Sequence, residues 1–235
     1  RVTNHYWMCM ANYDDRAISL CYSDTPTDPD SWIWSGNVIT SFTSFLAGAP
    51  HLILHNNTWY IFYSDVPDIK VATASSVNGP YTIAPSSILE PSGPSAWDSF
   101  RVDEPYVFQR TDGTWILIYM GDQGVIGDFV EQVGYATADN ILGPYTAYSG
   151  NPVIRFGEPG SYDAGTIADP WVYYSLGKYY IGYAASNTRH EPFYSACATT
   201  TDWQTFTKIG LILPLAASGW DATNSFRGAI TRIND

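Results

Sequence analysis

Apolar and aromatic runs recur along this chain at intervals of roughly 50 to 65 residues, which is how one supersecondary unit used repeatedly appears in a sequence. NTWYIFYSD (57–65), GTWILIYMGD (113–122) and GKYYIGYAAS (177–186) are copies of one strand, and NHYWMCMAN (4–12) is a frayed fourth. Ahead of the three full copies lie strands that turn on a proline: AGAPHLIL (47–54), RVDEPYVFQ (101–109) and TIADPWVYY (166–174). Behind them lie IKVATASS (69–76), EQVGYATAD (131–139) and FYSACATTT (193–201), and two units share a turn, NGPYT (78–82) and LGPYT (142–146), that leads to a fourth strand. Asn56-Asn57, Asp112-Gly113 and Gly177 separate the runs; such residues tolerate positive φ and mark hairpins. Val, Ile, Tyr, Trp and Thr dominate the runs, as a pleated, half-buried surface favours, and no window of about 11 residues carries helical periodicity. Four-stranded meanders repeated in sequence are the blades of a β-propeller. The expected fold is therefore all-β, a propeller in a single domain over residues 1–235 with four recognisable blade repeats.

The two ends of the chain read as parts of one further blade. Residues 4–40 supply strands two, three and four of a unit, and SFRGAITRI (225–233) reads as a first strand. The expectation is a ring closed by strands from both termini, which removes an open sheet edge.

Composition narrows the function. A net charge of −12 with 11 Lys and Arg residues lacks the basic stripe that nucleic-acid binding requires. No apolar run reaches about 18 residues, so no membrane-spanning helix is expected. Cys9, Cys21 and Cys197 are odd in number, have no metal spacing and sit in apolar strands, so buried free thiols are expected, with a Cys9–Cys21 bridge as the alternative. No secretory leader opens the sequence, since Arg1 stands inside a strand; the acidic, Lys-poor composition fits a secreted or periplasmic setting. Aromatic residues make up 16%, and aromatic faces stack on sugar rings while Tyr and Trp polar atoms reach sugar hydroxyls. Trp59, Tyr60, Trp115, Tyr179 and Tyr180 repeat and are read as blade packing. The aromatics outside the repeat (Trp7, Trp32, Trp34, Phe100, Phe129, Trp171 and Phe193) are the binding candidates, and the expected partner is an oligo- or polysaccharide.

In a propeller the first strands line the central axis. Aligning them on their proline puts Ala49, Glu104, Asp169 and Gly228 in register, flanked by His51, Asp103 and Arg227. A desolvated carboxylate beside another of the same sign has a raised pKa and serves as a general acid while its neighbour stays ionised. A separation of about 6.5–9.5 Å leaves room for a water and gives an inverting glycosidase. Successive strand residues face opposite ways, so Asp103 and Glu104 share a face only if a bulge intervenes; by register Glu104 is the inward one. A second acid recurs upstream in AWDSF (Asp98), SYDAG (Asp163) and GWDAT (Asp221), either as a sugar-binding residue or as a turn cap. His51 points into its blade by alternation, and His190 lies in a long connection at the rim. The Gly-rich connection GDQGVIGDFVEQ (121–132) reads as a lid. No metal motif is present; a structural Ca²⁺ in the central tunnel, held by carbonyls and carboxylates, is the one ion the pattern accommodates.

At these residues the chain resembles a known superfamily. DEPYVFQRTDGTWILIYMGD followed by VGYATADNILGPY looks like a blade of the five-bladed glycoside hydrolases of the family 43 kind, with families 32, 62, 117 and 130 as relatives, over about residues 47–233. The resemblance implies three acids from successive blades: a base Asp, a pKa-setting Asp and a general-acid Glu. Glu104 matches the pKa-setting position and Asp169 the general-acid position, and FRGAI matches a blade that often contributes a central His. The chain departs from the pattern in having Asp169 where Glu is usual, Glu104 (or Asp103) where Asp is usual, and no first-strand base Asp. Asp98, Asp163, Asp221, Asp14 and Asp15 are the candidates for that base. The leading expectation is an inverting glycosidase acting on arabinose- or xylose-containing polysaccharide, with no cofactor required. The alternatives are a carbohydrate-binding propeller without catalysis, and a phosphorylase using Arg101, Arg155, Arg189 and Arg227 to hold phosphate.

Overall fold

The computed structural model describes residues 5–44, 47–124, 128–213, 215–219 and 222–225. Among these the regular structure is β-strand, apart from a short 3₁₀ turn at Pro29–Ser31. In chain order the strands are β1 (Tyr6–Asn12), β2 (Ala17–Ser23), β3 (Ile33–Ile39), β4 (Ala47–His55), β5 (Thr58–Asp65), β6 (Asp68–Ala74), β7 (Thr82–Ile83) and β8 (Arg101–Gln109). They continue as β9 (Trp115–Asp122), β10 (Glu131–Ala138), β11 (Thr146–Ala147), β12 (Thr166–Ser175), β13 (Lys178–Ser186), β14 (Tyr194–Thr200) and β15 (Thr207–Leu213). They form a three-stranded sheet, β1-β2-β3, and three four-stranded sheets, β4-β5-β6-β7, β8-β9-β10-β11 and β12-β13-β14-β15. The sequence repeat is thus a sheet repeat, and residues 4–40 do supply a sheet of three strands. The strand expected from the C-terminal end, with Arg227 and Gly228, lies outside the described residues.

The hairpin turns follow from their residues. Asn56 and Asn57 have φ of 48° and 59°, and Leu176 and Gly177 have φ of 50° and 77°. Both central residues are left-handed, as a two-residue turn matching the twist of antiparallel strands requires. The two GPYT turns also repeat a bond: the Tyr81 hydroxyl donates to the Val77 carbonyl at 2.9 Å, and the Tyr145 hydroxyl to the Ile141 carbonyl at 3.1 Å.

The chain divides into two compact units, Arg1–Glu90 with Asp103–Val107, and Pro91–Val102 with Phe108–Asp235. In the first unit β4 packs against β1 and β2. Ile18, Ile39, Ile61, Tyr63 and Ala72 form one apolar cluster there, and Leu20, Trp59 and Val77 another. In the second unit β12 packs against β9 and β10. Its aromatic centre is the buried Trp203, whose ring meets Phe108, Tyr135, Tyr179 and Phe206 at centroid distances of 5.2–5.8 Å. Trp203 lies outside the repeated strands, so the repeat gives no sign of it.

The three thiols are free. Met8 stands opposite Cys21 and Cys9 opposite Leu20, so the two cysteines lie on opposite faces of the β1–β2 hairpin and no bridge joins them. Burial pushes the Cys9 thiol up to about 12 and the Cys197 thiol up to about 11. Among the described residues no helix is long and apolar enough to cross a membrane.

Trp171 was expected at a sugar; the structure places it in sheet packing. It is buried and stands opposite Gly182 in the β12–β13 ladder. A β-carbon at Gly182 would come within 1.9 Å of the Trp171 ring, so only glycine leaves room for the indole. Gly182→Ala should therefore destabilise the protein by about 1–3 kcal/mol through overpacking. Denaturant unfolding checks this, and an unchanged midpoint would contradict the packing described.

Candidate active site

The first strands carry a shared irregularity at their proline. Ala49, Glu104 and Asp169 have φ of 44°, 56° and 49°, a left-handed backbone that costs a non-glycine residue roughly 1–2 kcal/mol. The β4–β5 register shifts between Gly48 and His51, and the β12–β13 register shifts between Ala168 and Trp171. β4 and β12 therefore each carry a bulge, which breaks the simple alternation of faces and re-aims a side chain, and β8 shares their left-handed residue at Glu104. Ala49 adopts the same conformation without a functional group, so the bulge belongs to the fold. What distinguishes β8 and β12 is the carboxylate placed on it. Glu104 and Asp169 are both half-buried there.

In the first unit Asp103 is buried, and its Oδ1 accepts the Glu104 N–H at 2.8 Å and the hydroxyl of the buried Ser64. The Glu104 N–H also reaches Ser64 Oγ at 2.9 Å. Asp103 is thus bonded to the backbone of the left-handed residue itself. His51 stacks on Tyr106 at 4.0 Å and 19°, and its Nδ1 accepts the Val107 N–H at 2.9 Å. That nitrogen is committed to the backbone and carries no proton. Asp65, at the end of β5, accepts the Thr43 and Ser44 N–H groups at 2.9 and 2.8 Å and Lys70 Nζ at 2.8 Å. Burial by itself would raise its carboxyl, but the Lys70, Thr43 and Ser44 bonds outweigh burial and hold it below the usual range.

In the second unit the upstream acids are buried. Asp98 Oδ2 accepts the Tyr119 and Ser92 hydroxyls, both at 3.2 Å, while its Oδ1 is buried with no hydrogen-bond partner among the described residues. Burial, then the Asp98 charge, pushes the Tyr119 phenol well up. Asp163 accepts Ser161 Oγ at 2.8 Å and pairs with Lys208 Nζ at 2.6 Å. For both residues the side-chain bonds run to hydroxyls and an ammonium group, in place of the backbone N–H groups that turn capping would use. Asp221, their expected third copy, lies outside the described residues.

Three further candidates fall in loops or at strand ends. Phe100 is half-buried and donates its N–H to the Asp122 carbonyl at 2.9 Å. His190 is exposed, and its carbonyl accepts the Ser186 and Thr188 hydroxyls at 2.6 and 2.7 Å. Phe193 is tied through its N–H to Asn224 Oδ1 at 2.9 Å. Residues 125–127, at the middle of the connection read as a lid, lie outside the described residues.

The pattern missed a polar residue that closes each second strand. Asp65, Asp122 and Ser186 end the three copies. Asp122 Oδ1 accepts the Gly124 and Val130 N–H groups at 2.7 and 2.9 Å, and its Oδ2 meets Arg101 Nε at 3.2 Å. Arg101 also pairs with Glu131 at 2.7 Å, and its guanidinium carbon lies 5.0 Å from the Phe129 ring centroid. The last letter of each repeat copy was the signal available. The same bonds bear on a phosphate cluster: Arg101 is held by Asp122 and Glu131, Arg155 bonds the Pro152 and Gly150 carbonyls, Arg189 pairs with Asp128, and Arg227 lies outside the described residues. Among the described residues no group of three or more His, Cys, Asp or Glu side chains is placed to hold a metal ion.

No protein-family model matches this chain, and no curated protein does. Solved structures do. A thermostable family-43 glycoside hydrolase superposes with a TM-score of 0.69 at 20% identity, over 88% of this chain and 69% of the other. An α-L-arabinofuranosidase from Clostridium thermocellum gives 0.63 at 19%, over 92% and 68%. An α-L-arabinanase from Cellvibrio cellulosa gives 0.67 at 12%, over 92% and 76%. At these identities the likeness establishes fold: the chain has the β-propeller fold of these glycoside hydrolases, with four sheets among the described residues.

Burial lowers the His51 pKa from 6.5 to about 4. Between those values the unfolded chain takes up a proton that the folded chain refuses, so stability falls as pH drops from about 6.5 and the loss is complete near pH 4. Against a His51→Gln variant, which has no such group, the wild type should lose on the order of 2–3 kcal/mol more over that window. Urea unfolding at intervals of pH checks this; parallel stability profiles would contradict a His51 held neutral in the fold.

Proposed function

We propose that this protein is a glycoside hydrolase that cleaves arabinose-containing polysaccharide with inversion. The observation that carries the reading is the left-handed backbone at Glu104 and Asp169, the carboxylate residues directly before the proline of β8 and of β12. It is supported by the fold shared with an arabinofuranosidase and an arabinanase. Asp169 protonates the departing glycosidic oxygen, the step that a sugar leaving group needs most. Glu104 orients sugar hydroxyls. An ionised carboxylate on the opposite face of the sugar activates the water that attacks the anomeric carbon, so one displacement inverts the centre. Asp103 is a supporting group in this scheme, since its Oδ1 is bonded to the Glu104 N–H. A phosphorolytic reading loses ground because Arg101, Arg155 and Arg189 already hold acids or carbonyls.

The test is sugar release from linear arabinan and from 4-nitrophenyl α-L-arabinofuranoside. Asp169→Asn should cut turnover on arabinan by about 10²–10⁴-fold. The loss should be smaller on the nitrophenyl glycoside, whose leaving group departs without a proton. Turnover on arabinan within about tenfold of wild type, roughly 1.4 kcal/mol, would remove Asp169 as the acid. Binding of arabinan with no sugar released by wild type would instead favour a carbohydrate-binding protein.

A further inference from the structure

Ser64 and Asp103 form a buried polar pair behind Glu104. The three first strands, each with a left-handed residue before its proline, allow a comparison within one chain. The residue before the left-handed one is Gly48 in β4, Asp103 in β8 and Ala168 in β12. The residue before the end of the second strand is Ser64 in β5, Gly121 in β9 and Ala185 in β13. Ala49 and Asp169 reach the same left-handed backbone as Glu104 with glycine or alanine before them. Ala168 packs instead in an apolar cluster with Met120 and Ala184. The bulge therefore forms without a carboxylate or hydroxyl behind it.

A carboxylate at Asp103 and a hydroxyl at Ser64, 7% and 1% exposed, carry a desolvation cost that their bonds must offset. Two bonds of the pair meet at the peptide N–H of Glu104, which is reached by Asp103 Oδ1 at 2.8 Å and by Ser64 Oγ at 2.9 Å. The Ser64 hydroxyl donates its own proton to Asp103 Oδ1, closing a three-membered network of hydroxyl, carboxylate and peptide.

We propose that Ser64 is a positioning residue for the Glu104 carboxylate. Its hydroxyl locks Asp103 behind Glu104, and the pair fixes the Cα–Cβ direction from which the Glu104 side chain leaves the strand. The inference rests on the glycosidase reading, because it assigns Glu104 a part in turnover. Groups held within about 0.5 Å of productive geometry owe that precision to a second layer of hydrogen bonds, and a misplacement of about 1 Å costs on the order of 10²-fold.

The experiment compares wild type, Ser64→Ala and Ser64→Thr on 4-nitrophenyl α-L-arabinofuranoside, with crystal structures of the two serine variants. The alanine variant should lose roughly 10–100-fold in kcat, with KM within about twofold, and the threonine variant should recover most of the rate because it restores the hydroxyl. In the Ser64→Ala crystal the Glu104 carboxylate should be displaced while the Ala49 bulge is unchanged. An active wild type with Ser64→Ala kinetics equal to it, a fall in rate that threonine does not rescue, or an unmoved Glu104 would overturn the proposal. A wild type that releases no nitrophenol from this or any other glycoside would instead overturn the glycosidase reading, and the role of Ser64 in turnover with it; the Glu104 position in the Ser64→Ala crystal then still reports on the lock itself.

Discussion

A strand that turns one residue into left-handed backbone is the constraint on which the site depends. Ordinary pleating would send Asp103 and Glu104 to opposite faces. A left-handed residue departs from ordinary pleating, and one recurs at Ala49, Glu104 and Asp169. Its cost, roughly 1–2 kcal/mol at each non-glycine position, is borne even at Ala49, where no chemistry follows. The irregularity is therefore part of how the first strands are built, and the carboxylates use a geometry already present.

The distribution of charge follows a second rule. Several buried acids are paired inside their own unit: Asp65 with Lys70, Asp163 with Lys208, and Asp122 with Glu131 around Arg101. Removing one partner of such a set leaves an uncompensated buried charge, which is far costlier than the pair is stabilising. Of the 11 Lys and Arg residues set against 23 acids, Lys70, Lys208 and Arg101 are committed to these buried acids.

Much of the fold was legible because repetition is visible without coordinates. The copies ending in Asp65, Asp122 and Ser186 mark the second strands, and a proline marks the first. The turn residues predicted the hairpins, since Asn56, Asn57 and Gly177 do take positive φ. The face of Asp103 was not legible, because a period of two cannot report the left-handed residue that departs from it. Trp171 misled for a related reason: its environment is set by Gly182 on the partner strand, a register fact absent from the local pattern. Ser64 was hidden among residues read as packing, and Arg101 among residues read as phosphate ligands. For Trp171, Ser64 and Arg101 the decisive partner lies on another strand.

The most direct test of the account is a crystal structure of the Asp169→Asn variant soaked with an arabino-oligosaccharide. The account predicts a sugar ring within hydrogen-bonding reach of the Glu104 carboxylate. Well-ordered sugar bound elsewhere, with Glu104 untouched, would contradict it.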